Sequence, residues 1–132
     1  NVEDRLGHRR FLLLYLGSGA VAALVQLLMS PSSSLPLIGA SGAIAGVLGA
    51  YLLLFPFARV TTLVPALFVW QFVELPAVVF LGVWFLLQWV QGLTTIGQFA
   101  ELSGGIAWWA HIGGFVVGML LVYVLRVRRF YF

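Results

Sequence analysis

The chain has 132 residues, of which 62% are apolar and 8% charged, and carries a net charge of +3. A water-soluble domain of this size cannot hide so much apolar surface, so the composition excludes that class and makes the bilayer the natural solvent. Cysteine is absent, which excludes disulfides. The positive charge is all arginine at the ends of apolar runs, a pattern of membrane orientation rather than of nucleic-acid binding.

The sequence opens on Asn1-Val2-Glu3-Asp4 with no initiator methionine and no signal peptide, and the expectation is that an N-terminal part precedes it. His8-Arg9-Arg10 leads into a first apolar run, from Phe11 to about Met29; His8 reads as a solvated interfacial residue. Ser30 to Pro36 holds two prolines and four serines and reads as a loop. A second apolar run extends from about Ser41 to Phe55 and is closed by Pro56 and Arg59. Val60 to Val73 contains Pro65 and a β-branched stretch, so it is expected to lie at the interface or partly buried without crossing. The third span covers roughly Pro76 to Val90, a loop runs from Gly92 to Gly105, and the fourth span covers about Ile106 to Leu125. Trp108 and Trp109 suit the headgroup level.

Charge tests this count. Arg5, Arg9 and Arg10, then Arg59, then Arg126, Arg128 and Arg129 are separated by pairs of crossings, so four spans place every arginine on one face. The positive-inside rule makes that face cytoplasmic, with both chain ends on it, Glu74 at the cytoplasmic start of the third span and Glu101 in the external loop. The expected architecture is an all-α polytopic membrane helix bundle, with four transmembrane helices in a single membrane domain over residues 1–132.

Two stretches carry chemistry. Gly39-Ala40-Ser41-Gly42 stands where a loop turns into a helix, and Ala110-His111-Ile112-Gly113-Gly114 lies near the external end of the last span. A hydroxyl nucleophile needs a base, and imidazole is the usual one near neutral pH. A serine at a helix start also finds unpaired backbone N–H groups and the positive end of the helix dipole aimed at any oxyanion formed there. Backbone support for that oxyanion is assigned to Gly39, Ala40, Ser41 and Gly42. Small residues in membrane helices also serve close packing, and a lone intramembrane histidine can be a hydrogen-bond partner between helices.

Depth joins the two residues. Ser41 lies 14 residues before Phe55 and His111 lies 15 before Arg126. At about 1.5 Å per residue both stand roughly 21–23 Å above the cytoplasmic boundary. That is some 7–9 Å below the external surface of a core about 30 Å thick. Gly42, Gly46 and Gly49 on one span, and Gly114 and Gly118 on the other, form small-residue faces that let two backbones approach around the pair.

Here the sequence resembles the rhomboid family of intramembrane serine proteases. Gly39-Ala40-Ser41-Gly42 is similar to its Gly-x-Ser-Gly motif, and Ala110-His111 through Gly118 to its Ala-His-x-x-Gly-x-x-x-Gly motif. Glu3 and Gly7 resemble the Glu-x-x-x-Gly stretch after the family's second helix. The resemblance covers essentially the whole chain. It implies the third to sixth helices of a six-helix core, with the first two absent, and a catalytic dyad of Ser41 and His111 without an aspartate. The family's His-x-x-x-Asn motif, whose side chains help bind the oxyanion, has no match in this chain, and the resemblance therefore implies poor activity for these residues alone.

The implied function is cleavage of single-span membrane proteins within or beside their transmembrane helix, with no cofactor, no metal and no nucleic acid; the charge pattern suits a bacterial inner membrane, with an organelle membrane as the alternative. The loop Gly92–Gly105 is the candidate cap, and the end of the third span, with Trp84, Trp89 and Gln91, the candidate lateral gate, the alternative being that its aromatics simply pack against lipid or neighbouring helices. The alternative is a catalytically silent rhomboid-like protein that binds membrane helices. A transporter or channel is disfavoured, because the spans hold His111 as their one ionisable residue and show no repeat.

Overall fold

The computed structural model describes residues 1–34, 36–66, 69–94, 96 and 106–127. A short helix α1 (Val2–Leu6) tucks Val2 and Leu6 into the base of the molecule, and Gly7, at φ 82°, turns the chain into α2 (His8–Met29). That positive φ is one an L side chain rarely adopts. His8 is exposed, and its Nδ1 meets the Glu3 carboxylate across the turn. α2 ends where Ser30 and Pro31 begin the loop.

Helix α3 (Ser41–Leu54) is followed by Pro56, and its last turn closes with the Phe55 N–H on the Tyr51 carbonyl at 2.8 Å. Its 14 residues span about 21 Å at 1.5 Å per residue, too short to cross the hydrocarbon alone. α4 (Ala77–Thr94) and α5 (Trp108–Val127) follow. Among the described residues α2, α4 and α5 are long and apolar enough to cross a membrane, and α3 is a shorter apolar helix packed among them.

Between α3 and α4 the helical expectation needs an addition. β1 (Arg59–Ala66) and β2 (Val69–Pro76) pair antiparallel, with Arg59 opposite Pro76 and Ala66 opposite Val69. The β-branched run Val60-Thr61-Thr62 favours a pleated conformation, and a second extended segment directly after it satisfies the backbone groups by pairing. At the base, Arg59 donates to the Glu74 carboxylate at 2.8 Å. Two backbone bonds, Ala77 N–H to Ala58 and Val78 N–H to Pro56, both 2.8 Å, clamp the hairpin to the start of α4.

Two buried clusters hold the bundle. Leu14, Ala50 and Val122 join Val2 and Leu6 at one end, and Ala45, Ala77, Leu81 and Phe115 fill the space between α3, α4 and α5. Leu12, Leu13, Leu16, Leu24, Leu27 and Leu28 on α2, and Val83, Leu86, Leu87 and Val90 on α4, face outward. In water this would be unstable; against acyl chains it is the expected surface.

Candidate active site

Gly39, at φ 126°, turns the loop into α3, and Ala40 occupies the N-cap without a side-chain cap. Ser41 is the first helical residue, and the first intrahelical bond is Ile44 N–H to the Ala40 carbonyl at 3.0 Å. The N–H groups of Ser41, Gly42 and Ala43 therefore lack an intrahelical acceptor. Ser41 itself is exposed, and a cavity of about 280 Å³ opens beside it, lined by Tyr15, Gly19, Ala22, Leu37, Gly39 and Ala110, among others.

The glycines fix where this helix start lies against α5. A Cβ on Gly114 would strike the Gly42 carbonyl, one on Gly118 the Gly46 carbonyl, and one on Gly49 the Phe115 carbonyl. The two helices thus run parallel in van der Waals contact of their backbones, as small residues in membranes permit. α2 closes the third side, with Ser18 against Gly46 and Ala22 against Gly42. Gly42 sits between the levels of Ala110 and Gly114, so Ser41 stands level with His111. Ala45 and Phe115, each one turn below these residues, are buried in one cluster, and Ser41 and His111 extend the same two stripes outward.

His111 is partly buried, and its near neighbours come from α4 and from its own helix. Its Nδ1 lies 2.7 Å from Gln88 Oε1, its ring tilts against Trp84 at 6.0 Å between centroids, and Trp108 meets it edge-on at 6.3 Å. Gln88 is 5% exposed, and its amide Nε2 donates to the Trp84 carbonyl at 3.4 Å. The Ser41 hydroxyl has no hydrogen bond among the described residues, so the structure brings serine and histidine to one level without joining them. Among those residues no three His, Cys, Asp or Glu side chains cluster in a way that would hold a metal ion.

Two glutamines escaped the sequence reading. Gln26 on α2 accepts the Ala110 N–H at 3.1 Å, satisfying one of the orphan donors in the first turn of α5, and Gln88 meets His111. The available signal was a carboxamide inside an apolar span, which is costly unless bonded. Trp109 is 5% exposed and packs edge-on against Trp89 at 5.6 Å, filling the gap that Gly92 leaves between α4 and α5. Trp84 stacks toward His111 and Phe115. Most of the candidate cap, Glu101 included, lies outside the described residues, as do Arg128 and Arg129.

The family model of the Rhomboid domain matches residues 1–128. No curated protein and no solved structure matches the chain.

Proposed function

The chain belongs to the rhomboid family, a family of intramembrane proteases and pseudoproteases whose members act on membrane proteins in the bilayer, and we propose that it is a serine endopeptidase with Ser41 as nucleophile and His111 as general base. The observation that carries this reading is the placement of a serine at a helix N-terminus level with a histidine on the helix packed against it, one turn above a shared buried cluster. In this reading residues 1–132 form a single membrane domain corresponding to the third to sixth core helices. The arginines at Arg5, Arg9, Arg10 and Arg59 hold one face in the cytoplasm of a bacterial inner membrane.

The chemistry follows from the parts. His111 takes the Ser41 proton as Oγ attacks the carbonyl of a substrate helix that has locally unwound. The tetrahedral oxyanion then meets the unpaired N–H groups of Ser41, Gly42 and Ala43, supported by the α3 dipole. Collapse expels the amine, which receives the proton from imidazolium, and water hydrolyses the acyl-enzyme by the same steps in reverse roles. Closing the dyad requires the Ser41 hydroxyl to rotate or shift toward the imidazole, since catalytic hydrogen bonds tighten on substrate binding. The substrates are transmembrane segments of single-span proteins, which reach Ser41 laterally or through its exposed mouth.

Ser41→Ala abolishes cleavage of a single-span reporter in membranes of cells producing the protein, and retained cleavage discredits the dyad. The competing reading, a catalytically silent protein that binds membrane helices, draws on the open Ser41 hydroxyl. A fluorophosphonate separates the two: it labels Ser41 in the wild type and fails to label His111→Ala if the dyad operates, whereas a silent protein stays unlabelled throughout.

A further inference from the structure

We propose that Gln88 is a positioning residue that holds His111 in the tautomer able to accept the Ser41 proton, filling from α4 the role a carboxylate fills in a triad; the proposal rests on the dyad reading above. A neutral imidazole has one N–H and one bare nitrogen, and only the bare nitrogen can act as a base. Which nitrogen is bare depends on what the other one bonds.

The amide of Gln88 settles this locally. Its Nε2 donates to the Trp84 carbonyl at 3.4 Å, and that carbonyl can only accept. Reversing the amide would set oxygen against oxygen. Oε1 is thereby turned to His111 Nδ1, at 2.7 Å, and Oε1 also can only accept. Nδ1 must then carry the hydrogen, and Nε2, on the far side of the ring from α4, carries the lone pair. With Gln88 5% exposed, water does not compete for either bond. Trp84 and Trp108, the other rings against His111, carry no titrating group. A glutamine suits this site because an ionised carboxylate so deeply placed would cost far more to desolvate than an amide. It orients the imidazolium formed in the reaction without supplying a counter-charge.

The direct test is the nitrogen NMR of histidine-labelled protein in detergent micelles, at a pH where the ring is neutral, with the His111 signals identified by their loss in His111→Gln. The wild type gives a protonated Nδ1 and a bare Nε2, and Gln88→Leu shifts the population toward the Nε2–H form that free imidazole prefers. A wild-type ring protonated at Nε2 overturns the proposal whether or not any variant folds. Kinetics supply the second arm: Gln88→Leu lowers kcat roughly 10–10²-fold with KM little changed, less than the ~10⁴-fold cost of a partner that enforces the wrong tautomer in a triad. An unchanged kcat overturns the proposal. Measured beside these, Ser41→Ala separates the two ideas: if it is inactive while Gln88→Leu is fully active, only Gln88 is mis-assigned, and if it retains activity the dyad itself is wrong.

Discussion

At Gly118, Gly46 and Gly114 there is no room for a side chain, because a neighbouring backbone or Ser18 occupies the position a Cβ would take. Each residue therefore sets the distance between helices, and with it the distance between the proposed nucleophile and base. Gly118→Leu forces α3 and α5 apart at Gly46 and costs about 1–3 kcal/mol through overpacking. A thermal melt in detergent reads this as a lower midpoint, accompanied by slower fluorophosphonate labelling of Ser41. Gly82 is the contrast, on the outward side of α4 with nothing within 4 Å of a would-be Cβ. Gly82→Ala leaves labelling unchanged and stabilises the helix by up to roughly 1 kcal/mol, the propensity difference between the two residues. If both variants behaved alike, backbone contact would not be what aligns the site.

Among the elements, α5 depends on its neighbours for more than packing. Its first turn presents N–H groups without intrahelical acceptors, and Gln26 reaches across from α2 to accept one of them, the N–H of Ala110, the residue before His111. Gln26→Leu removes that cap and costs about 0.5–2 kcal/mol. Hydrogen exchange at the Ala110 amide accelerates as a result, while the amides of the lower half of α5 are unaffected. The hairpin of β1 and β2 makes the opposite case. Its Arg59–Glu74 pair is exposed, and exposed pairs contribute about 0–1 kcal/mol, so Arg59→Ala leaves the melt nearly unmoved. A large drop there would show that the hairpin is a structural strut and not a connector.

For the molecule as a whole, the outward leucines and valines, the short α3 and the arginine groups are the features on which the proposed disposition in the bilayer rests. In the proposed disposition α3 begins below the external surface, so that Ser41 lies at the floor of a shallow aqueous depression and the hairpin lies on the cytoplasmic side. The absence of native cysteine makes this measurable with single substitutions. Ser41→Cys reacts with a membrane-impermeant thiol reagent applied from outside, Leu86→Cys is protected by lipid, and Phe57→Cys, beside the hairpin, reacts only from the cytoplasmic side. Reaction of Ser41→Cys from the cytoplasm alone would invert the topology and remove the basis of the depth argument.

Composition settled the solvent, because no fold of this size can bury so many apolar side chains. Spacing from Pro56 and from Arg126 set Ser41 and His111 at comparable depth, because helical rise is constant whatever surrounds the helix. The glycine spacing likewise marked the faces along which backbones meet. The inward face of α4 was not legible. Its helix is apolar nearly all round, so no amphipathic stripe told Gln88 and Trp84 from Leu86 and Leu87. The same holds for Trp109, whose burial against Trp89 and Gly92 comes from how two helices pack and not from any local preference. The pairing of Arg59–Ala66 with Val69–Pro76 is a non-local register that single-strand propensity only hints at. Sequence sets how far along its helix each residue stands; only the packed bundle decides what it faces, since facing is a property of pairs of helices and hydrophobic uniformity erases its trace from each one alone.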